Sequence, residues 1–290
     1  MKKKKTMILS VIAALIAASA VFFCWQANDL TVTSIEYASQ DVPDGFDGFR
    51  IVHISDLHNK RFGKGQSRLL DAVCDLRPDI IVITGDLIDA RHTNIEKAME
   101  FVRGAVKLAP VYYVSGNHEM SVPDKYEALS AQMLDIGVTM LENAVTTIER
   151  NGDTTDLIGI SDPRGETQTA DYHSGLAEFH IKRAIGDGSS NFKMLLAHRP
   201  ELIDSYARFG INVVFSGHAH GGQFRLPWIG GLFAPNQGFF PKYTSGAYQV
   251  NGTTLVVSRG LGNSICPIRL FNRPNIVCVE LKCVSQTKNN

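Results

Sequence analysis

The 290-residue chain is 44% hydrophobic, enough to build the core of one large domain. Its 29 basic and 29 acidic residues cancel; with Lys2, Lys3, Lys4 and Lys5 set aside, 25 basic residues face 29 acidic ones, and no basic stripe marks a nucleic-acid partner. The five cysteines form no C-x-x-C pair, which argues against a cysteine-held zinc.

Residues 1–6 form a basic tail. From Met7 to Trp25 runs a 19-residue apolar stretch broken only by Ser10 and Ser19, close to the roughly 20 residues that span a bilayer as a helix. The lysines before it are expected to stay in the cytoplasm, which puts the rest of the chain outside. Ala18-Ser19-Ala20 resembles a cleavage site, but Val21-Phe22-Phe23-Cys24-Trp25 carries the apolar stretch past it, so an uncleaved single-pass anchor over 7–25 is preferred.

Residues 26–48 connect this anchor to the candidate catalytic domain, 49–284, and 285–290 are a polar tail. Leu30 to Tyr37 alternates like an edge strand. Spacing predicts helices over about Gln66–Leu76, Ile95–Lys107, Asp124–Asp135, Ala170–Ile185 and Glu201–Phe209, with Gly137 and Gly210 as stops. Val145–Arg150 and Asp156–Ile160 flank Asn151-Gly152-Asp153, a hairpin signal. Gly230 to Pro241 is a long loop rich in glycine, proline and aromatics, a type that is often functional. Tyr248–Val250, Thr254–Val257 and Ile276–Leu281 read as strands. Alternating strands and helices, followed by a strand-rich second half, predict a mixed α/β sandwich of two sheets. Near the end lie Cys266, Cys278 and Cys283. Cys278 and Cys283 are candidates for a disulfide, with buried free thiols the simpler expectation.

Five short apolar runs each stop on metal-ligating residue types. Ile51–Ser55 leads to Asp56-Leu57-His58, and Ile80–Thr84 to Gly85-Asp86-Leu87-Ile88-Asp89. Val111–Ser115 leads to Gly116-Asn117-His118-Glu119, Phe192–Ala197 to His198, and Ile211–Ser216 to Gly217-His218-Ala219-His220. Such runs read as buried strands, and ligands of open α/β sheets gather beyond the carboxyl ends of strands. Singly, each motif has a plain structural explanation, a turn or a capping Asp; all five together point to a metal site.

The order D-x-H, G-D-x-x-D, G-N-H-E, a single His and G-H-x-H resembles the calcineurin-like metallophosphoesterase superfamily, from about Ile51 to His220. The tract from Gly217 to Gln223 is similar to its membrane-anchored bacterial subgroup. The resemblance implies a four-layer α/β/β/α sandwich preceded by one transmembrane helix, and two divalent ions drawn from manganese, iron or zinc. Asp56, His58 and His220 would hold one ion and Asn117, His198 and His218 the other, with Asp86 bridging, one oxygen to each. A metal-bound hydroxide would then attack phosphorus, and His118 would stabilise the transition state or protonate the leaving oxygen. Asp89 and Glu119 are expected to orient ligands from behind, and His53 to lie behind the site or in the core. Arg61 and Arg199 are candidates for phosphate contact by neighbourhood alone. His92, His173 and His180 fall off the pattern and are expected at the surface.

The implied activity is hydrolysis of a phosphodiester or phosphomonoester. The anchor and the apolar Leu232–Tyr243 loop favour an amphiphilic, lipid-linked substrate in the cell envelope. Cleavage of a UDP-2,3-diacylglucosamine-type pyrophosphate ranks second, because that substrate is cytoplasmic and the lysines put this site outside. A catalytically silent metal-binding scaffold is the alternative of another class.

Overall fold

A computed structural model describes residues 2–167, 169–186, 191–263 and 268–284; Cys266 and the tail 285–290 lie outside the described residues. Helix α1, Lys2–Asn28, contains the only helix among the described residues long and apolar enough to cross a membrane. The elements then follow in order: β1 (Thr31–Ser39), β2 (Arg50–Ile54), α2 (Ser67–Asp75), β3 (Ile80–Thr84), α3 (Ile95–Ala105), β4 (Val111–Val114), α4 (Asn117–Met120), α5 (Pro123–Asp135) and β5 (Thr139–Met140). The second half holds β6 (Ala144–Arg150), β7 (Asp153–Gly159), α6 (His173–Ile185), β8 (Phe192–Leu196), α7 (Ile203–Tyr206) and β9 (Val213–Ser216). Four two-residue strands come next, β10 (Arg225–Leu226), β11 (Gly230–Gly231), β12 (Phe233–Ala234) and β13 (Gly238–Phe239). The chain closes with β14 (Gly246–Val250), β15 (Thr253–Val257) and β16 (Asn275–Cys283).

Two six-stranded sheets form, ordered β1-β16-β2-β3-β4-β5 and β14-β15-β9-β8-β7-β6. In the first, β2 to β5 run parallel and β16 antiparallel to β2; in the second, β7, β8, β9 and β15 run parallel. Three apolar clusters separate four layers. One lies between the first sheet and α2, α3 and α5, around Leu69, Phe101 and Leu129. A second lies between the sheets, around Ile51, Val82, Leu196 and Phe215. The third packs α6 and α7 on the second sheet through Ala177, Ile181 and Tyr206. All five predicted strands before the motifs form, because apolar side chains, Val and Ile in most of them and Phe, Met and Leu in β8, fill both faces of a strand buried between layers. Their C-terminal ends in the two sheets meet at one place, and that meeting creates the site.

Several expectations change. The predicted 201–209 helix forms as a succession of single turns around α7, opened by Pro200 and stopped at Gly210, which has a positive φ of 62°. The 230–241 loop carries two small antiparallel ribbons. The hairpin turn is shorter than expected, with Asn151 and Gly152 both at positive φ, as a two-residue primed turn requires. Cys278 and Cys283 lie on the same strand, β16, five residues and hence about 16 Å apart. They are free, as are Cys24 and Cys74. Only Cys278 of these four is buried, so the expectation of buried thiols holds for that residue alone.

Candidate metal centre and pocket

Asp56, His58, Asp86, His218 and His220 all adopt left-handed φ, between 46° and 62°. Such backbone is costly for residues with a Cβ and persists where the surroundings overdetermine it. Here the turns tie one another down: Asp56 N–H donates to Gly85 O at 3.1 Å, His58 N–H to Asp86 O at 3.0 Å, and His218 N–H to the Asp56 carboxylate at 3.2 Å.

The side chains gather in three groups whose ligand atoms lie within 4.8 Å of one another: Asp56, His58, Asp86 and His220 in the first, Asp86, His198 and His218 in the second, and His58, Asp89 and His118 in a third beside the first. In each of the first two groups two imidazole nitrogens face each other at 3.2 Å, His58 Nε2 with His220 Nε2 and His198 Nε2 with His218 Nδ1. Each pair shares a proton as a hydrogen bond in the metal-free protein, and the same nitrogens are close enough to share a cation in its place. Asp86 Oδ2 serves both of these groups, 3.6 Å from His58 Nε2 and 3.3 Å from His198 Nε2. Its Oδ1 accepts the His118 N–H at 2.8 Å. The expectation of one oxygen per ion therefore changes: a single oxygen of Asp86 faces both positions. Asn117 Oδ1 is buried with no hydrogen-bond partner, a costly state for an amide oxygen that a cation would relieve. His198 is aimed by its Nδ1–H, which donates to Thr84 O at 2.6 Å across the two sheets. Imidazole, carboxylate and amide donors together fit divalent transition ions.

Glu119, Asp89 and His53 stand behind the site, each with its own contacts. Glu119 touches no ligand side chain; it accepts the backbone N–H groups of Asp86, Ile88 and Gly116 at 2.8, 3.1 and 2.9 Å and fixes the Asp86 turn. Asp89 accepts from Arg91 N–H and stands 3.9 Å from His58 Nδ1. His53 is wholly buried in the core, its Nε2 2.8 Å from Thr84 Oγ1. His118 Nδ1 accepts the Ala90 N–H at 3.0 Å, so the neutral ring carries its proton on Nε2. Its ring stands 4.5 Å from that of His58.

A cavity of about 430 Å³ opens over these groups, lined also by Arg91, Arg164, Arg199, His173, Ser121, Pro235 and Asn236. Arg199 lines it, yet two of its guanidinium nitrogens grip Asp162 at 2.8 and 3.0 Å. Arg61 pairs with Glu100 and does not line the pocket. His92 is exposed as expected, but His173 and His180 are buried, and His180 Nε2 meets Glu166 Oε1 at 2.5 Å. The spacing of His173, Ala177, His180 and Ile181 is that of one buried helix face, a signal present in the sequence. Arg164 and Asp162 were also missed; they follow β7, a further parallel strand ending at the same edge.

Charge is strongly redistributed here. Burial holds His53, His58 and His220 down to about 3, so they are neutral. Burial would lower His198 too, but the adjacent Asp86 carboxylate overrides it and raises His198 to about 10, while Asp86 is held well below its usual range. Burial and the Asp86 charge raise Glu119 to about 8. The signs give a dome. His53, His58 and His220, together with His218, which burial also holds well below its usual value, penalise folding as pH falls below about 6.5. Glu119 and His198, both raised, lose their stabilisation as pH rises from about 4.5 to 8 and from about 6.5 to 10 respectively. In chelator, urea unfolding should show greatest stability near neutrality and a fall by pH 9; a flat profile would contradict these assignments. Added metal should flatten the alkaline limb, because ions compete with those protons.

A two-sheet α/β/β/α sandwich whose strand ends assemble such a cluster defines a metal-dependent phosphoester hydrolase. The family model for the calcineurin-like phosphoesterase matches residues 49–222, more than half of the chain, and the chain belongs to that family. It is 29% identical over 248 residues to the uncharacterized metallophosphoesterase YkuE of Bacillus subtilis, covering 83% of this chain and 82% of that protein. It is 26% identical to the phosphodiesterase YaeI of Escherichia coli, covering 80% and 82%. It is also 28% identical to a transmembrane protein with metallophosphoesterase domain of Danio rerio, covering 96% of this chain and 63% of that one. The sulfate thiohydrolase SoxB of Thermus thermophilus shares the fold, with a TM-score of 0.52 at 13% identity over 84% of this chain and 58% of SoxB.

Proposed function

We propose that the chain is a two-metal phosphodiesterase anchored in the membrane by α1, with its pocket outside the cytoplasm and a phosphodiester of the cell envelope as substrate. The observation that carries the reading is the single Asp86 oxygen shared by two facing imidazole pairs. Asp56, His58 and His220 would hold one ion, and Asn117, His198 and His218 the other. When bound, such ions supply Lewis-acid stabilisation of the reacting phosphoryl group and acidify water.

The chain's own groups do the rest. His118 presents its Nε2–H at the pocket beside His58 and donates a hydrogen bond to the charge that builds on the phosphoryl or departing ester oxygen, stabilising the transition state. Arg91, Arg164 and the Asp162-held Arg199 give the pocket wall its affinity for anionic oxygens. The named activity of YaeI favours diesters. The lysines before α1 support a cytoplasmic N-terminus.

The test compares a phosphodiester and a phosphomonoester model substrate on the manganese-loaded chain, with His118→Gln alongside. Diester turnover should dominate, and His118→Gln should lower kcat by about 10²- to 10³-fold with unchanged metal content. Preference for the monoester would overturn the diesterase reading. Loss of metal from His118→Gln would make His118 a structural residue.

A further inference from the structure

We propose that the aromatic face beside the end of α1 is a second membrane contact, seated in the headgroup–acyl boundary of the bilayer that α1 crosses. The face consists of Trp228, Ile229, Phe239, Phe240 and Phe271, exposed by 103%, 60%, 78%, 70% and 51%. Soluble surfaces scatter such residues singly; here they are joined. Trp228, Ile229 and Phe271 line one groove. Leu232 N–H donates to Phe224 O and Phe240 N–H to Leu232 O, which ties the β12–β13 ribbon to β10, and Phe224 pairs with Leu270.

The occupant follows from continuity with α1. The Phe271 ring lies 6.0 Å from Phe22 of that helix. The Arg273 guanidinium sits 5.0 Å over the Trp25 ring and pairs with Asp29, while Lys60 donates to the Ala27 carbonyl. The helix end is thus clamped to the domain next to the aromatic face. A 27-residue helix is about 40 Å long, more than the roughly 30 Å of hydrocarbon, so its last turns reach the interface and bring the face with them. Indole, phenyl and basic side chains are the composition such a boundary selects; Arg225 lines the groove and Lys242 is exposed close to Phe240 in the chain.

The consequence concerns access. The turn between β12 and β13 supplies Pro235 and Asn236 to the pocket, while Phe239 and Phe240 of the same segment point outward. The pocket mouth then opens beside the lipid headgroups, and a substrate held in the membrane reaches it without leaving the bilayer. This inference rests on α1 spanning the membrane and is independent of the reaction.

The chain has two tryptophans, Trp25 and Trp228, one for each claim. The full-length Trp25→Phe and Trp228→Phe variants are reconstituted in phosphatidylcholine–phosphatidylglycerol vesicles with and without dibrominated acyl chains. In Trp25→Phe, brominated lipid should remove roughly half of the Trp228 emission, as expected for an indole at the boundary. Unquenched, water-like Trp228 emission overturns the proposal. Emission shielded from bromine but varying with protein density assigns the face to a second copy and also overturns it. In Trp228→Phe, absence of Trp25 quenching would fell the anchor reading instead, so the two failures are distinguishable.

Discussion

Asp86→Ala is expected to lower turnover by about 10⁴-fold or more and to deplete the centre of metal. Asp86 Oδ2 is the oxygen that faces both imidazole pairs, whereas Asp56 belongs to the first group alone. Two dications about 4 Å apart repel by about 16 kcal/mol at an effective dielectric of about 20, four times the value for unit charges. Shared negative charge between them is the condition for holding both. Without it, the second ion is lost and with it the activation of the phosphoryl group. Secondary structure should persist, since the carboxylate is no part of the apolar clusters. Metal analysis and circular dichroism on one sample check both halves. A folded Asp86→Ala protein that keeps two ions and full rate would refute the assignment.

Gly116→Ala should be as damaging to the centre and more damaging to the fold. A Cβ at this position would stand 2.3 Å from Asp86 Oδ1, 2.7 Å from Asp86 N and 2.9 Å from Asp86 Cγ. Asp86 cannot retreat, because Glu119 holds its N–H and the His118 N–H holds its Oδ1. The backbone at Gly116 is ordinary (φ −110°), so close approach, not a special torsion, is what demands glycine there. Overpacking of this kind costs about 1–3 kcal/mol, and the strand-end shift it forces moves the shared oxygen off both pairs. Thermal unfolding and metal titration should both report the loss. Wild-type metal affinity in Gly116→Ala would mean that the strand ends are looser than their contacts imply.

These contacts mark the boundary between what the residues alone disclose and what they do not. Strands β2, β3, β4, β8 and β9 were legible because short, mostly apolar runs of this length read as buried strand, and the ligand types stood at their ends. The turns after them were legible as chemistry but not as geometry. Neither the left-handed backbone at His58 and His220 nor the approach of one Asp86 oxygen to both imidazole pairs follows from spacing, since both depend on how two sheets meet. Glu119 read as a support for ligands because carboxylates often back metal-bound histidines; its bond to the Gly116 N–H is the helix-start pairing its spacing permits, whereas its bonds to the Asp86 and Ile88 N–H groups of a neighbouring turn depend on the fold. His173 and His180 were misjudged by residue type when their helical spacing with Ala177 and Ile181 already gave a buried face. Asp162 and Arg164 were invisible because β7 ends on no ligand, and only its place beside β8 brings Arg164 to the pocket and Asp162 to Arg199.

The most direct test is anomalous scattering from crystals of the manganese-loaded chain. The account predicts two peaks about 4 Å apart flanking the Asp86 carboxylate, one against His58 and His220, the other against His198 and His218. A single peak, or ions bound away from Asp86, would contradict it.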